Sequence, residues 1–443
     1  MVILFPNKIT KNYNTVIKQA KISPTKAVLK PSYHWEGFRA YLYGNIIKKT
    51  DNYEMFYQCG NALKVCKATS KDGYNWEKPL FNLADFNIKN YNVLNIDENS
   101  NKKELTNIIS CVHCPSIIYD KNYKLFSFAE KGFNAFFSND GEKFKPLKSN
   151  PAIKLLSYKN KKTKKTWYSD VGFCFKENDS YFATIKHYII DKKGRTRRAV
   201  SLYQSDNFKF WRFVDKIYEP NRFFDKIAKQ RGFRWADFYG LTPFKYGDIW
   251  LGYLWLFEIQ KELKHGTHQG KIEVFLVYSK NLLSWKTISD KPFIPWDLNF
   301  KDDGGMLMAT PPVFEKEHIK IYYSDCNFEH GFREKDFKKE IKNPIWNIRV
   351  YNLKKERITG IYSKNGLIEF PSYSFYKKRL RINADVKDKL IIIFKHMDKI
   401  LYTKTITKVD NENIIIKNIP PYDLEIHIQL YDTTLYAVEI ENE

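Results

Sequence analysis

The sequence predicts an all-β chain: a five-bladed β-propeller over residues 1–361, followed by a small C-terminal β-sandwich over residues 362–443. Three observations carry this expectation. A short turn motif recurs at a nearly even spacing, each copy closes a set of four strand-like apolar runs, and the pattern changes character after Tyr362.

The motif is clearest in "SKDGYNW" (Ser70 to Trp76), where Asp72-Gly73 makes the turn. It returns as "SNDGEKF" (Ser138 to Phe144), "SDNFKFW" (Ser205 to Trp211) and "SKNLLSW" (Ser279 to Trp285), and in decayed form as "NLKKERI" (Asn352 to Ile358). The last positions of successive copies lie 68, 67, 74 and 73 residues apart, the length of one blade with a substantial loop. The strand-like runs before and around each copy set the blades in order. The first is "RAYLYGNII", "EMFYQCG", "KVCKATS", "NWEKPL"; the second "PSIIYD", "KLFSFAE", "NAFFS", "KFKPL"; the third "VGFCF", "YFATIKHYII", "RAVSLYQS", "FWRFV". The fourth is "YGLTPF", "IWLGYLWLFEI", "KIEVFLVYS", "SWKTI", and the fifth "MLMATPPVF", "IKIYYSD", "WNIRVYN", "RITGIY". Radial closure buries both faces of inner strands, which is why these runs are nearly continuous rather than strictly alternating. Beyond Tyr362, "DLEIHIQLY" alternates strictly and stands among five further short runs at regular spacing, "RLRINAD", "KLIIIF", "ILYTKTI", "NIIIKNI" and "TLYAVEI", the pattern of a small sandwich.

Composition agrees with a β-rich chain. Of 443 residues, 43% are hydrophobic and 16% aromatic. The opening "MVILF" is far shorter than a signal-peptide core, and no stretch approaches the roughly 18 apolar residues of a membrane span, so a cytoplasmic location is expected. The six cysteines are scattered through strand-like runs and are expected to be reduced and mostly buried. Cys111 and Cys114 flank His113 in "CVHC", but no second pair of suitable spacing follows, and neither a metal nor any other cofactor is expected. The net charge of +24 attracts anions of any kind, and a basic surface suits peripheral association with an anionic membrane.

A propeller collects its chemistry where inner strands begin, at the mouth of the central funnel. Those positions supply Trp35, Glu36 and Arg39, then His113, Asp170, Trp235, Asp237 and Tyr239, and finally Asp303 beside Asp302. Four blades each bring a carboxylate to the same depth in a chain rich in Lys. Each acid has a plain alternative: a strand-start carboxylate is often a turn cap, Glu36 can simply pair with Arg39, and His113 and His187 are singly more often structural. Together, acids beside Trp35, Trp167 and Trp235 have the makings of a sugar site, with aromatic faces for C–H surfaces and carboxylates for hydroxyls.

The five blades, the turn motif, the inner-strand acids and the C-terminal sandwich resemble the five-bladed superfamily of invertases, levansucrases and arabinanases. "HWEGFRAYLYG", "HCPSIIYD", "SDVGFCF" and "ADFYGLTPF" resemble bacterial glycoside hydrolase family 32-like proteins. The resemblance implies a carboxylate nucleophile or base, an acid and a third carboxylate. The invertase "NDPNG" and "RDP" motifs and the Glu of "EC" have no counterpart as such. The expectation is therefore a glycoside hydrolase or transglycosylase acting on a furanosyl-like linkage. Asp170 and Asp237 are its central pair and Glu36 its third carboxylate; Arg39, His113, Trp35, Trp235, Tyr239, Asp303 and His187 orient the substrate. The basic runs Tyr158 to Lys165, Lys192 to Arg198 and Gly331 to Lys339 are expected to rim the same mouth, which favours an anionic or nucleotide-activated sugar. A non-catalytic glycan-binding propeller is the alternative. Nucleic-acid binding by the basic rim is a third reading, with steep salt dependence as its signature, and is not the one adopted.

Overall fold

The computed structural model describes residues 2–3, 9–23, 25–60, 63–82, 105–129, 131–160, 164–263, 267–296, 304–332, 341 and 343–443. Asp302 and Asp303 lie outside the described residues, as does most of the basic run 331–339.

The described chain is built from strands that pair antiparallel, except that His268–Ser279 meets Met306–Ala309 in parallel at Ile272 and Met306 and so joins the fourth and fifth units in one sheet; it has one α-helix, Arg222–Gln230. Asn221 caps that helix by accepting the Phe223 N–H. The third expected unit forms as a four-stranded meander, Gly172–Glu177, Ser180–Ile190, Thr196–Ser205 and Arg212–Tyr218. The second runs His113–Asp120, Asn122–Ala129, Gly132–Ser138, Lys145–Pro146. The fourth runs Trp235–Tyr246, Ile249–Glu262, His268–Ser279, Trp285–Thr287.

The first and fifth units depart from the expected strand sets. In the first, "NWEKPL" contributes only the isolated bridge Thr69↔Glu77, and Ile108–Ser110 pairs with Lys64–Ser70 instead. In the fifth, "RITGIY" leaves the unit. Thr359–Ser363 pairs with Val16–Gln19 and Asp423–Asn442, and the fifth unit takes the N-terminal strand Ala27–Leu29 as its outer neighbour. The expected division after residue 361 thus falls inside a strand. The strands Val2–Ile3, Lys11–Tyr13 and Val16–Gln19 join the C-terminal strands in one continuous eight-stranded sheet around its own apolar core, which includes Ile382, Leu390, Ile392, Ile426 and Leu430.

Consecutive units contribute to common buried clusters, and so do the fifth and the first. Phe56 and Val65 of the first meet Ile117 and Tyr123 of the second. Phe126 and Phe133 meet Cys174 and Ile185, Phe173 and Val200 meet Leu254 and Phe275, and Val274 and Leu276 meet Leu307 and Ile321. Val313 and Tyr322 of the fifth meet Tyr53 and Met55 of the first.

The recurring turn has one geometry in four copies. The side chain of Asp72, Asp140, Asn207 or Asn281 accepts the two backbone N–H groups that lie two and three residues on, as in Tyr74 N (2.7 Å) and Asn75 N (2.8 Å). The residue after it is left-handed each time: Gly73 (φ 78°), Gly141 (73°), Phe208 (65°) and Leu282 (67°). The closing aromatics then pack outward: Trp76 meets Tyr322 of the fifth unit edge-on at 6.0 Å, and Trp211 lies 4.9 Å from Phe126 of the second.

Cys59 and Cys66 are joined by a disulfide across the hairpin Tyr53–Cys59 and Lys64–Ser70, against the expectation of six free thiols. Their places on one face of adjacent strands bring the two Cα atoms to 6.3 Å, within bonding reach. Cys111, Cys114, Cys174 and Cys326 lie outside this disulfide and are buried. Among the described residues no helix is long and apolar enough to cross a membrane.

Candidate functional site

The three expected carboxylates that the structure describes sit in three different settings. Glu36 ends the 3-10 turn His34–Glu36 and is fully buried. Its Oε2 accepts the N–H groups of Ser32 (2.7 Å) and Tyr33 (3.0 Å) and the Lys78 ammonium (2.7 Å), and its Oε1 accepts the Tyr57 hydroxyl (2.5 Å). Trp35 belongs to the same network: its indole N–H donates to Asn107 Oδ1 at 2.9 Å, its ring stacks on Tyr33 at 4.4 Å, and Asn107 in turn donates to Tyr57. Every oxygen of Glu36 is occupied, so this group braces the entry of the chain into the first unit rather than facing a ligand. Arg39 does not pair with Glu36. Its guanidinium donates to the Gly60 carbonyl (3.1 Å) and lies over Phe38.

Asp237 is also fully buried. Arg197 Nε donates to its Oδ1 at 2.7 Å and Arg198 Nη1 to its Oδ2 at 3.2 Å. Arg197 continues to Asp225 on the helix (2.8 Å) and to the Ala236 carbonyl, so one guanidinium ties the third unit, the helix and the fourth unit together. With each oxygen accepting from a guanidinium group and the side chain sealed from solvent, this carboxylate is spent on counter-charges rather than turned towards a ligand. Trp235, expected to be a sugar platform, is 2% exposed, and its ring already carries the guanidinium groups of Arg195 (4.8 Å) and Arg234 (5.0 Å).

Asp170 differs from both. Its side chain is 38% exposed, and it forms an ion pair with Lys186, which is 4% exposed. Burial among dense neighbours would push the Asp170 carboxyl up, but the Lys186 ammonium and then His113 hold it below the usual range. Lys186 is held above its usual range by the same pair, against its own desolvation. Around this pair stand Tyr239, whose ring centre is 5.0 Å from the ammonium, and Tyr43, whose hydroxyl is 3.0 Å from that of Tyr239. His113 meets the Tyr43 ring edge-on at 5.2 Å. The structure therefore brings together Asp170, His113 and Tyr239 from the expected set. His187 is not among them. Strand alternation turns it to the face opposite Lys186, beside Lys216, where burial and that lysine hold its imidazole below the ordinary value.

Two histidines absent from the expected set complete the cluster. His268 Nδ1 is 2.7 Å from Arg198 Nη1 and must accept there, which puts the ring proton on Nε2. His330 Nδ1 donates to the His268 carbonyl at 2.8 Å, leaving Nε2 as its lone-pair nitrogen. Burial and then Arg198 push His268 down to about 2 and His330 down to about 3, so both rings are neutral at ordinary pH. His330 packs against Tyr239 (5.2 Å) and Phe257 (4.7 Å). Reading only inner-strand starts missed these residues, because Lys186, Arg198 and His268 lie on second and third strands, and His330 lies just beyond one. The available signal was the length of the strands Ser180–Ile190, Thr196–Ser205 and His268–Ser279, which outrun their neighbours towards the acids.

The "CVHC" segment is part of the core. Cys114 Sγ exchanges hydrogen bonds with the Gly172 backbone (3.4 Å), and burial pushes its thiol up to about 12. Among the described residues no three His, Cys, Asp or Glu side chains are grouped to hold a metal.

No protein-family model matches the chain, and no curated protein matches its sequence. Solved structures do resemble it. An α-L-arabinofuranosidase from Podospora anserina in complex with cellotriose aligns over 75% of this chain and 96% of its own, with 10% identity and a TM-score of 0.46. A GH32 β-fructofuranosidase from Bombyx mori aligns over 90% of each chain, with 11% identity and a TM-score of 0.40. An N-acetylgalactosamine deacetylase from F. plautii, in complex with blood group B trisaccharide, aligns over 80% of this chain and 92% of its own, with 12% identity and a TM-score of 0.40.

Proposed function

We propose that the chain is a carbohydrate-active enzyme of glycosidase type that works through Asp170. In this reading the five antiparallel units are the blades of one propeller, closed by Ala27–Leu29, and the C-terminal sheet with its N-terminal strands folds as a separate sandwich domain. One observation carries the functional reading: Asp170 keeps 38% of its side chain exposed beside a buried ammonium, whereas Glu36 and Asp237 are sealed. An ionised carboxylate with an open edge is what an oxocarbenium-like transition state requires on one face of the sugar. Lys186 keeps Asp170 ionised, Tyr43 and Tyr239 offer hydroxyls beside it, and His330 offers a neutral acceptor. We assign Asp237 the task of holding Arg197 and Arg198 in place. A furanosyl-like linkage in an anionic or activated glycan remains the substrate class of this proposal.

A second reading, glycan binding without turnover, is favoured by the same sealing, since two of the three carboxylates needed for acid and base work are spent on counter-charges. A screen of glycosides and activated sugars, fructofuranosides included, separates the two. Parent protein with turnover that drops roughly 100-fold or more in Asp170→Asn supports catalysis by Asp170. Equal turnover in parent and variant sinks that assignment, and oligosaccharide retention without turnover of any substrate selects the binding reading.

A further inference from the structure

We infer that the Nε and Nη2 edge of Arg198 binds the carboxylate of an acidic sugar. The inference rests on the carbohydrate reading above and names a substrate class for that funnel. Arg198 has 4% of its side chain exposed, yet its hydrogen bonds all leave from one nitrogen: Nη1 serves both Asp237 Oδ2 (3.2 Å) and His268 Nδ1 (2.7 Å). Its Nε is buried with no partner, and no hydrogen bond from Nη2 to a described residue exists. Buried donors are nearly always paired, so the buried Arg198 Nε without one is an exception that calls for a partner. Asp237 cannot swing round to supply it, because Arg197 Nε holds Oδ1 at 2.7 Å.

The geometry also selects the partner. Nε–H and Nη2–H lie side by side in the guanidinium plane, spaced to meet the two oxygens of one carboxylate. Phe257 and Trp167 lie against the group, 5.0 Å and 5.4 Å from Cζ, so the edge and not the face is what remains to offer. Arg197 has all three nitrogens committed, to Asp237, Asp191, Asp225 and the Ala236 carbonyl, and Lys186 is a point charge paired with Asp170, so Arg198 is the guanidinium here whose fork is unpaired. Beside it, the lone pair of His330 Nε2 can accept a ring hydroxyl of the same sugar, since Nδ1 is committed to the His268 carbonyl.

The test is calorimetric or NMR titration of the full chain with glucuronate and galacturonate, their methyl esters, glucose and inorganic phosphate. The acids should bind roughly 10- to 100-fold tighter than the esters, the range of a charge-assisted hydrogen-bonded pair. Arg198→Lys keeps the charge but lacks the fork, and should lose that preference while binding the esters as before. Equal binding of acid and ester, a preference that survives in Arg198→Lys, or no uronate binding at all overturns the inference. Inorganic phosphate as tight as the uronates marks a general anion site and also overturns it. Should Arg198→Lys fail to fold, the acid-to-ester ratio in the parent decides alone. The readout is binding of unreacted monosaccharide, so it can succeed where turnover is absent and fail where Asp170 catalysis stands.

Discussion

Replacing Asp170 by Asn tests the proposed chemistry only if the fold tolerates it, and the ion pair with Lys186 says how much it should cost. Lys186 is 4% exposed, with the Tyr239 ring at 5.0 Å, so without Asp170 its ammonium loses its one carboxylate partner in a poorly hydrated place. Removing one partner of a fully buried pair costs about 3–5 kcal/mol; here the 38% exposure of Asp170 lets water screen the pair, and about 2 kcal/mol is the reasoned value. Lys186→Met leaves a carboxylate that water can solvate, and should cost less, about 1 kcal/mol. The double variant should recover part of the loss, with a coupling on the order of 1 kcal/mol. Urea unfolding followed by Trp fluorescence measures all four proteins. The pH dependence has a definite sign. Asp170 is held below 3.8, so its share is present above that value and is lost as pH falls through the lower folded value; Lys186 is held above 10.5, so its share is present below that value and is lost only at higher pH. Between about pH 5 and 9 the coupling should be flat. Additive losses in the cycle would refute the ion pair as drawn. A stable double variant without turnover would assign Asp170 to chemistry, whereas restored turnover would make its role structural.

Two further outcomes follow from buried contacts elsewhere in the fold. Glu258 is fully buried, 3.4 Å from Arg231, and burial above all, with Glu273 adding to it and Arg231 opposing, pushes its carboxyl up to about 8. The folded chain therefore keeps a proton that the unfolded chain releases near 4.5, and stability should fall by up to about 1.4 kcal/mol per pH unit between those values; Glu258→Gln should flatten the profile, and parallel profiles would refute this. Gly73 has φ 78°, its carbonyl accepts the Tyr322 hydroxyl at 2.8 Å, and a Cβ there would lie 2.5 Å from that hydroxyl oxygen. Gly73→Ala should cost about 2–3 kcal/mol in thermal unfolding, against about 1 kcal/mol for Gly232→Ala, which has φ 89° but open space; equal losses would show that the turn does not dock on the fifth unit.

The repeat was legible because its cause is local. Asp72, Asp140, Asn207 and Asn281 each fold their own turn, and the aromatic that follows needs only a neighbouring unit to pack on. Strand exchange was not legible. "RITGIY" has the alternation of a fourth strand wherever it pairs, and nothing within it says that Ala27–Leu29, more than 300 residues earlier, takes that place. Cys59 and Cys66 looked like ordinary strand cysteines for a similar reason, since their pairing depends on hairpin register and not on their own spacing. At the site, reading strand starts found Asp170, His113 and Tyr239, but it could not tell an open carboxylate from a sealed one. That difference lies in the counter-charges, and these come from other strands.

The run "KKGRTRR" shows how far those counter-charges change the reading of the charge pattern. As sequence it is a basic loop that rims a mouth and steers anions. In the fold Lys192 and Lys193 are exposed as that reading requires, but the strand restarts at Thr196 and carries Arg197 and Arg198 inward, 3% and 4% exposed. Arg195 pairs with Asp191, Arg197 spans Asp191, Asp225 and Asp237, and Arg198 shares Asp237 with it. The cluster thus neutralises carboxylates belonging to the hairpin, the helix and the fourth unit, and its pull on distant anions is weaker than its formal charge. What it retains is local and directional: the unpaired Nε edge of Arg198. On the inference drawn from Arg198, selectivity arises from the geometry of that edge, which salt screens poorly because it is buried, and not from the surface field, which salt removes. Binding of an acidic sugar should therefore persist at ionic strengths that abolish any attraction to the exposed lysines. Loss of the acid-over-ester preference on raising salt from about 0.05 to 0.5 M would return the selectivity to the surface.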